Sequence, residues 1–177
     1  MTRRRQYRAS LALLGAALLA LLPGAALAAG AKGSATAEVV APAQIVPLAY
    51  LRFGSFTRPT TAGTETVSTT GTVSGTGGMA NALSLPQGNG GRGQAMFQLN
   101  GSANRLYIVS LPGTTTISSG AATMQVSDFT SDAGIFGIGV LGASGQDTLN
   151  VGGTLNVSAN QAPGNYSGTF TLTVYYL

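Results

Sequence analysis

Tyr166-Ser167-Gly168-Thr169-Phe170-Thr171-Leu172-Thr173-Val174-Tyr175-Tyr176 is the stretch from which the fold follows. Tyr166, Gly168, Phe170, Leu172, Val174 and Tyr176 share one parity, while Ser167, Thr169, Thr171 and Thr173 share the other. Side chains of an extended chain alternate with period two, so this pattern predicts a strand with one buried and one wet face. Just upstream, Leu149, Val151, Leu155 and Val157 fall on one parity with Gly153 between them. That predicts a second strand with a bulge at Gly152-Gly153, joined to the first by a loop from Ser158 to Asn165. In Ala162-Pro163-Gly164-Asn165-Tyr166 the tyrosine follows a turn made around Gly164. This placement suits a tyrosine corner, whose hydroxyl bonds back to upstream backbone, and equally a plain core residue with its hydroxyl at the rim.

Outward from this region the same reading continues. Ala95, Phe97 and Leu99 alternate with Gln94, Met96 and Gln98 up to Asn100-Gly101. Leu106 to Leu111 is apolar on both faces, as a central strand is. Pro112-Gly113 ends it, and Met124 with Val126 marks another strand before Asp128. In the N-terminal half Ala37, Val39, Ala41, Ala43 and Ile45 share a parity, but Pro42 and Pro47 lack the N–H that a ladder needs, so the segment belongs at a sheet edge. Leu51 and Phe53 flank Arg52 in a short strand, Val67 and Val73 suggest one more, and Gly75 to Gly93 reads as loop. Charged residues make up only 8% of the chain, so helix formers are scarce. The expectation is an all-β, immunoglobulin-like antiparallel β-sandwich of about seven to nine strands.

The first 28 residues have a different character. Arg3, Arg4, Arg5 and Arg8 precede an apolar run from Leu11 to Leu22, and Ala26-Leu27-Ala28 offers a cleavage site. Residues 1–28 therefore read as a signal peptide, too short in its apolar part for the ~20 residues that span a bilayer. Both the general and the twin-arginine export routes fit this start. The expected organisation is a signal peptide at 1–28, a flexible stretch at 29–36 and a single sandwich over 37–177. Export implies the periplasm, the outer surface or the medium of a Gram-negative bacterium, with no transmembrane anchor.

Removing the leader also removes the basic charge. Lys32, Arg52, Arg58, Arg92 and Arg105 then face Glu38, Glu65, Asp128, Asp132 and Asp147, a balance near zero. No basic cluster is left to grip a phosphate backbone, which sets nucleic acid aside. Cysteine is absent, so stability must come from packing and strand pairing. Histidine is absent too, which removes Ser-His and Cys-His nucleophile pairs and the usual zinc sites. The five acids read as solvated surface groups, with no pair marked out as a glycosidase dyad. Gly142 to Asn150 follows a calcium nonapeptide apart from Ala143, but a single copy lacks the stacked turns that share ligands, and it reads as a turn into the Leu149 strand. Asp128 and Asp132 form an equally weak cation candidate. Gly88 to Gly93 lacks the Lys-Ser/Thr of a phosphate loop and reads as flexible. No catalytic residue, cofactor or metal is expected.

Leu149-Asn150-Val151-Gly152-Gly153-Thr154-Leu155, Ala159-Asn160-Gln161-Ala162-Pro163-Gly164-Asn165-Tyr166-Ser167-Gly168-Thr169-Phe170 and Val174-Tyr175-Tyr176, with Leu51-Arg52-Phe53-Gly54 and Ala95-Met96-Phe97, resemble the bacterial family called domain of unknown function 4402. The resemblance spans roughly residues 37–176. It implies a secreted protein distantly related to chaperone-usher fimbrial subunits and spore-coat-type domains. Such subunits assemble by strand addition, so Ala37, Val39, Ala41, Ala43 and Ile45 form a strand-exchange segment, and partners would be further copies or a periplasmic chaperone. The same segment pairing within its own domain is the other reading, and a monomeric adhesin or glycan-binding module the other function. Tyr166, Gly152, Gly153 and Gly164 are expected to be structural.

Overall fold

Our computed structural model describes residues 43–82, 85, 87 and 91–177. The signal peptide, residues 29–36 and Ala37, Val39 and Ala41 of the exchange segment lie outside the described residues. Ten strands follow in order: β1 (Gln44–Ala49), β2 (Gly63–Val67), β3 (Val73–Gly77), β4 (Ala95–Asn100), β5 (Leu106–Ser110), β6 (Thr114–Ser119), β7 (Ala122–Ser131), β8 (Ile138–Val140), β9 (Gln146–Val157) and β10 (Thr173–Tyr176). The fold is all-β, antiparallel and not closed into a barrel, with a seven-stranded and a three-stranded sheet.

The long strand β9 organises the larger sheet. On one edge its first half, Gln146 to Val151, pairs with β4, and its second half, Gly153 to Val157, pairs with β2. Its other edge pairs with β7 from Val151 to Asn156. β1, β3 and β6 lie outside β4, β2 and β7 respectively. The smaller sheet runs β10-β5-β8.

The partner exchange on β9 occurs at the glycine pair. A Cβ on Gly152 would run into the Val67 carbonyl oxygen, whereas one on Gly153 would meet only side chains, Leu51, Val126 and Phe129, at 3.2 to 3.4 Å. The bulge expected here lies on the opposite strand. Ser127 pairs with Thr154 and Thr130 with Gly152, so Asp128 and Phe129 together face Gly153, with Asp128 at φ 49. The glycine supplies room and the neighbouring strand supplies the extra residue.

Two apolar clusters follow from this division. Leu149 and Val151 pack with Ala95, Leu99, Tyr107 and Leu141, under Val109, Val174 and Tyr176 of the smaller sheet. Leu155 and Val157 pack instead with Met79, Ala82, Met124 and Val126, covered by Leu51, Phe53, Phe56 and Tyr166. The second cover is made of chain outside the strands.

Several expectations change. The alternation from Tyr166 to Tyr176 matches burial except at Gly168, which is exposed, and Thr173, which is half-buried, yet only Thr173–Tyr176 pairs as a strand; Ser167 makes a single bridge to Ser118, and the chain crosses between the sheets. Leu51-Arg52-Phe53 is likewise a single bridge, Arg52 to Gly93. Gly75 to Gly93 is not simply loop, since β3 runs to Gly77 and Met79 and Ala82 are core. β6 and β8 escape the sequence reading, because Thr114–Ser119 is almost wholly polar and Ile138–Val140 spans three residues. β5 is indeed the middle strand of its sheet.

Candidate functional site

A groove of about 890 Å³ opens over the second half of β9. Its floor is Met124, Val126 and Leu155, with Phe129 and Ile117 beside them. One wall is the extended segment from Pro47 to Pro59 and the other the segment from Gln161 to Phe170.

The first wall is held in place by side chains from below. Arg52 exchanges backbone hydrogen bonds with Gly93 at 2.8 and 2.9 Å. The Arg92 guanidinium donates to the Phe53 carbonyl at 3.1 Å and, from Nη2, to the Ser55 carbonyl at 2.6 Å. The Gln87 amide donates to Ser55 O at 2.9 Å while its oxygen accepts from Ser55 N at 2.7 Å. Beneath them Arg92 Nε meets Glu65 Oε1 at 2.9 Å.

Glu65 corrects its reading as a solvated acid: it is 0% exposed, and Oε2 has no hydrogen-bond partner among the described residues. Burial pushes its carboxyl above the usual carboxylate range, with Arg92 pulling the other way. Arg92, placed in a flexible loop from sequence, is the residue that anchors the wall. The signal was legible, because Glu65 shares parity with buried Val67 in β2.

The second wall rests on the turn before Tyr166. The Tyr166 hydroxyl donates to the Ala162 carbonyl at 2.6 Å and accepts from Gln161 Nε2 at 2.9 Å, which also reaches Thr123 O at 3.1 Å. A side chain on Gly164 would collide with Ser119. Ser118 and Ser167 exchange backbone bonds, and Thr115 Oγ1 donates to Thr169 O at 2.7 Å. At one end the walls join: Arg58 Nη2 donates to Asn160 O at 2.9 Å and Asn160 N to Pro59 O at 2.8 Å.

No Asp or Glu lines the groove among the described residues. The three described aspartates are engaged elsewhere. Asp147 accepts from the buried Tyr107 hydroxyl at 2.6 Å and from Thr148 N at 2.8 Å. Burial, and then the Asp147 hydrogen bond, raise the Tyr107 hydroxyl above the ordinary tyrosine value. Asp132 accepts from Asn150 N and Nδ2 at 2.8 and 2.6 Å, and Asp128 from Ser127 at 2.9 Å. Asp147 is thus a partner for Tyr107 and for Thr148 N, and no group of three or more acids that could hold a metal occurs among the described residues. What the groove offers is apolar floor, aromatic rim and backbone carbonyls, a surface for binding an extended or ring-shaped partner.

Of the exchange segment, Ala43 immediately precedes β1 and Ile45 lies in it, opposite Leu99 of the same chain. Sequence reasoning missed the convergence of Tyr50, Phe53, Phe56, Tyr166 and Phe170 on one groove. Their separation along the chain carries no local signal. No helix among the described residues is long and apolar enough to cross a membrane.

No curated protein and no solved structure matches the chain. The match that does exist is to a domain of unknown function, DUF4402, over residues 43–176, which takes in every strand and both walls of the groove, and the chain belongs to that family.

Proposed function

We propose that this is a non-catalytic, secreted structural protein of the bacterial cell envelope, a fimbria-like or surface-display subunit that assembles by β-strand addition on an immunoglobulin-like sandwich. The observation that carries the reading is the state of β1. Among the described residues it pairs with β4 alone, and Ile45, Val46 and Leu48 are all exposed. A strand held by one neighbour, with an open row of N–H and C=O groups, is a template for pairing with another chain. Pro47 and the register shift between Pro47 and Ala49 close one end, which leaves Gln44 to Val46 and the chain before it as the stretch open to exchange. The processed chain and a form lacking residues 29–46 separate the cases by light scattering after chromatography. Stable polymers that disappear on truncation support strand addition; a monomer that merely unfolds on truncation makes β1 an ordinary strand.

A second reading, a secreted adhesin or glycan-binding module, is favoured by the groove. Tyr50 stands 79% exposed at its mouth, with Phe53, Phe56 and Tyr166 along the walls, a set of ring faces suited to stacking on a sugar. Tyr50→Ala that abolishes retention on a glycan array, with folding intact, would shift the assignment to this reading.

A further inference from the structure

The smaller sheet has two apolar faces, and only one of them has a partner among the described residues. Inward, Tyr107, Val109, Val174 and Tyr176 pack on β4 and β9. Outward, the register builds a grid. Leu106 lies opposite Val140, and its carbonyl accepts from Leu177 N; Ile108 lies opposite both Ile138 and Tyr175. Residues directly opposite each other in an antiparallel pair project to the same side. Two rows of three apolar side chains, Leu177-Leu106-Val140 and Tyr175-Ile108-Ile138, therefore cover the outer face. Except for Ile108, which is half-buried, all are exposed by 42% to 61%.

Beside the grid the chain turns at Ile135–Gly137, and Ile135 and Phe136 stand 80% and 90% exposed. Phe136 holds φ 61, a left-handed conformation that costs a bulky side chain energy. A solvated antiparallel face normally carries polar residues at these positions, and contiguous apolar patches of this kind mark interaction sites.

We propose that this face is a self-association surface, packed in solution against the same face of a second copy across a two-fold axis. Charge argues for this occupant. None of the strand residues in β5, β8 or β10 is charged, and Arg105 beside them donates to the Leu177 carbonyl at 2.8 Å. An acidic or basic partner finds no counter-charge, and a bilayer surface finds no cationic rim to hold its headgroups. A face without charge meets its own copy without repulsion, since in an isologous interface the same patch lies on both sides. Two such faces stack about 10 Å apart with side chains interdigitated. A stable interface is apolar and charge-poor at its centre, as this face is. The grid with Ile135 and Phe136 supplies that centre, and Ser110 and Thr173 begin the rim.

This contact is independent of strand addition and differs from it in outcome. A two-fold contact closes at two copies, whereas strand addition continues. The chain, expressed with residues 1–28 in place and purified after processing, is expected to show a concentration-dependent doubling of mass in sedimentation. Ile138→Lys is expected to abolish the doubling with an unchanged circular-dichroism spectrum, and to leave any ladder of larger polymers in place. Because the chain has no cysteine, a single Tyr175→Cys substitution gives an independent reading. It is expected to form a disulfide-linked dimer under mild oxidation, while Thr123→Cys, exposed on β7, does not. The proposal is overturned by a monomer at every concentration, by a dimer that Ile138→Lys leaves intact, or by equal cross-linking at the two cysteines. Flotation with phosphatidylcholine vesicles that Ile138→Lys abolishes, in a chain that stays monomeric, would assign the face to lipid instead.

Discussion

The two halves of β9 have similar sequences and different surroundings. Leu149 and Val151 in the first half, and Leu155 and Val157 in the second, are all buried aliphatics on one parity. The first half lies beneath a paired sheet, so its cover is itself cross-braced by β5 and β10. The second half lies beneath unpaired chain around Phe53 and Tyr166, and the groove opens directly above it. Burial alone does not distinguish them. What differs is the cover itself, a paired sheet over the first half and, over the second, segments tied down by side-chain hydrogen bonds and single bridges.

The largest test of this contrast is a pair of truncations. Leu149 and Leu155 are 0% and 1% exposed. Leu149→Ala leaves a cavity between two braced sheets and is expected to cost about 4 kcal/mol. Leu155→Ala leaves one beside an existing groove into which neighbours or water can move, and about 2 kcal/mol is expected. Urea unfolding of both variants checks this, and equal losses would show that the groove side is as rigid as the sheet side.

Where the two halves meet, the glycines divide the same way. Gly152→Ala drives a methyl group against the Val67 backbone, which can give way only by shifting β2, so a loss of about 3 kcal/mol is expected. Gly153→Ala, opposite the bulge at Asp128 and Phe129, meets only side chains at 3.2 Å or more, and about 1 kcal/mol or less is expected. Comparable losses in thermal unfolding would remove the distinction between the two positions.

The sequence made the closed half legible and the open half largely opaque. Alternation from Leu149 to Val157, from Ala95 to Leu99 and at Leu106 to Leu111 reports a side chain packed between two layers, because every second residue answers to the same core. Around the groove that link fails. Phe53, Phe56 and Tyr166, from segments more than a hundred residues apart, are half-buried against the same core cluster without regular pairing. Thr114–Ser119 forms β6 with only Ile117 apolar, because strand pairing with β7 and not burial defines it. Glu65 was misread because charge was taken as exposure, although its parity with Val67 pointed inward.

A smaller contrast concerns the polar groups of the two halves. Tyr107→Phe removes the bond to Asp147, whose second oxygen keeps its bond to Thr148 N. A hydrogen bond to a charged acceptor contributes about 1.5 kcal/mol or more, and a loss of that order is expected in urea unfolding. A change within error would show that water replaces the tyrosine without cost.

The smallest effect at neutral pH is the most diagnostic. Glu65→Gln keeps the shape and an acceptor for Arg92 Nε, and exchanges a buried carboxyl with an orphaned oxygen for a neutral amide, so a change of about 1 kcal/mol or less is expected. Its signature is the pH dependence. The folded Glu65 carboxyl is raised above its ordinary 4.5, so between the two values the native state binds more protons than the unfolded chain. Its contribution is therefore fully present below about 4.5 and is lost as pH rises through the folded value. Other acids titrate equally in both proteins, so the stability difference isolates this one group. It should move in favour of Glu65→Gln as pH rises from 4 towards 7, as measured by urea unfolding across that range. A flat difference would mean that Arg92 fully compensates the burial, and the wall of the groove would then be clamped by an ion pair as firmly as β5 is held by Tyr107.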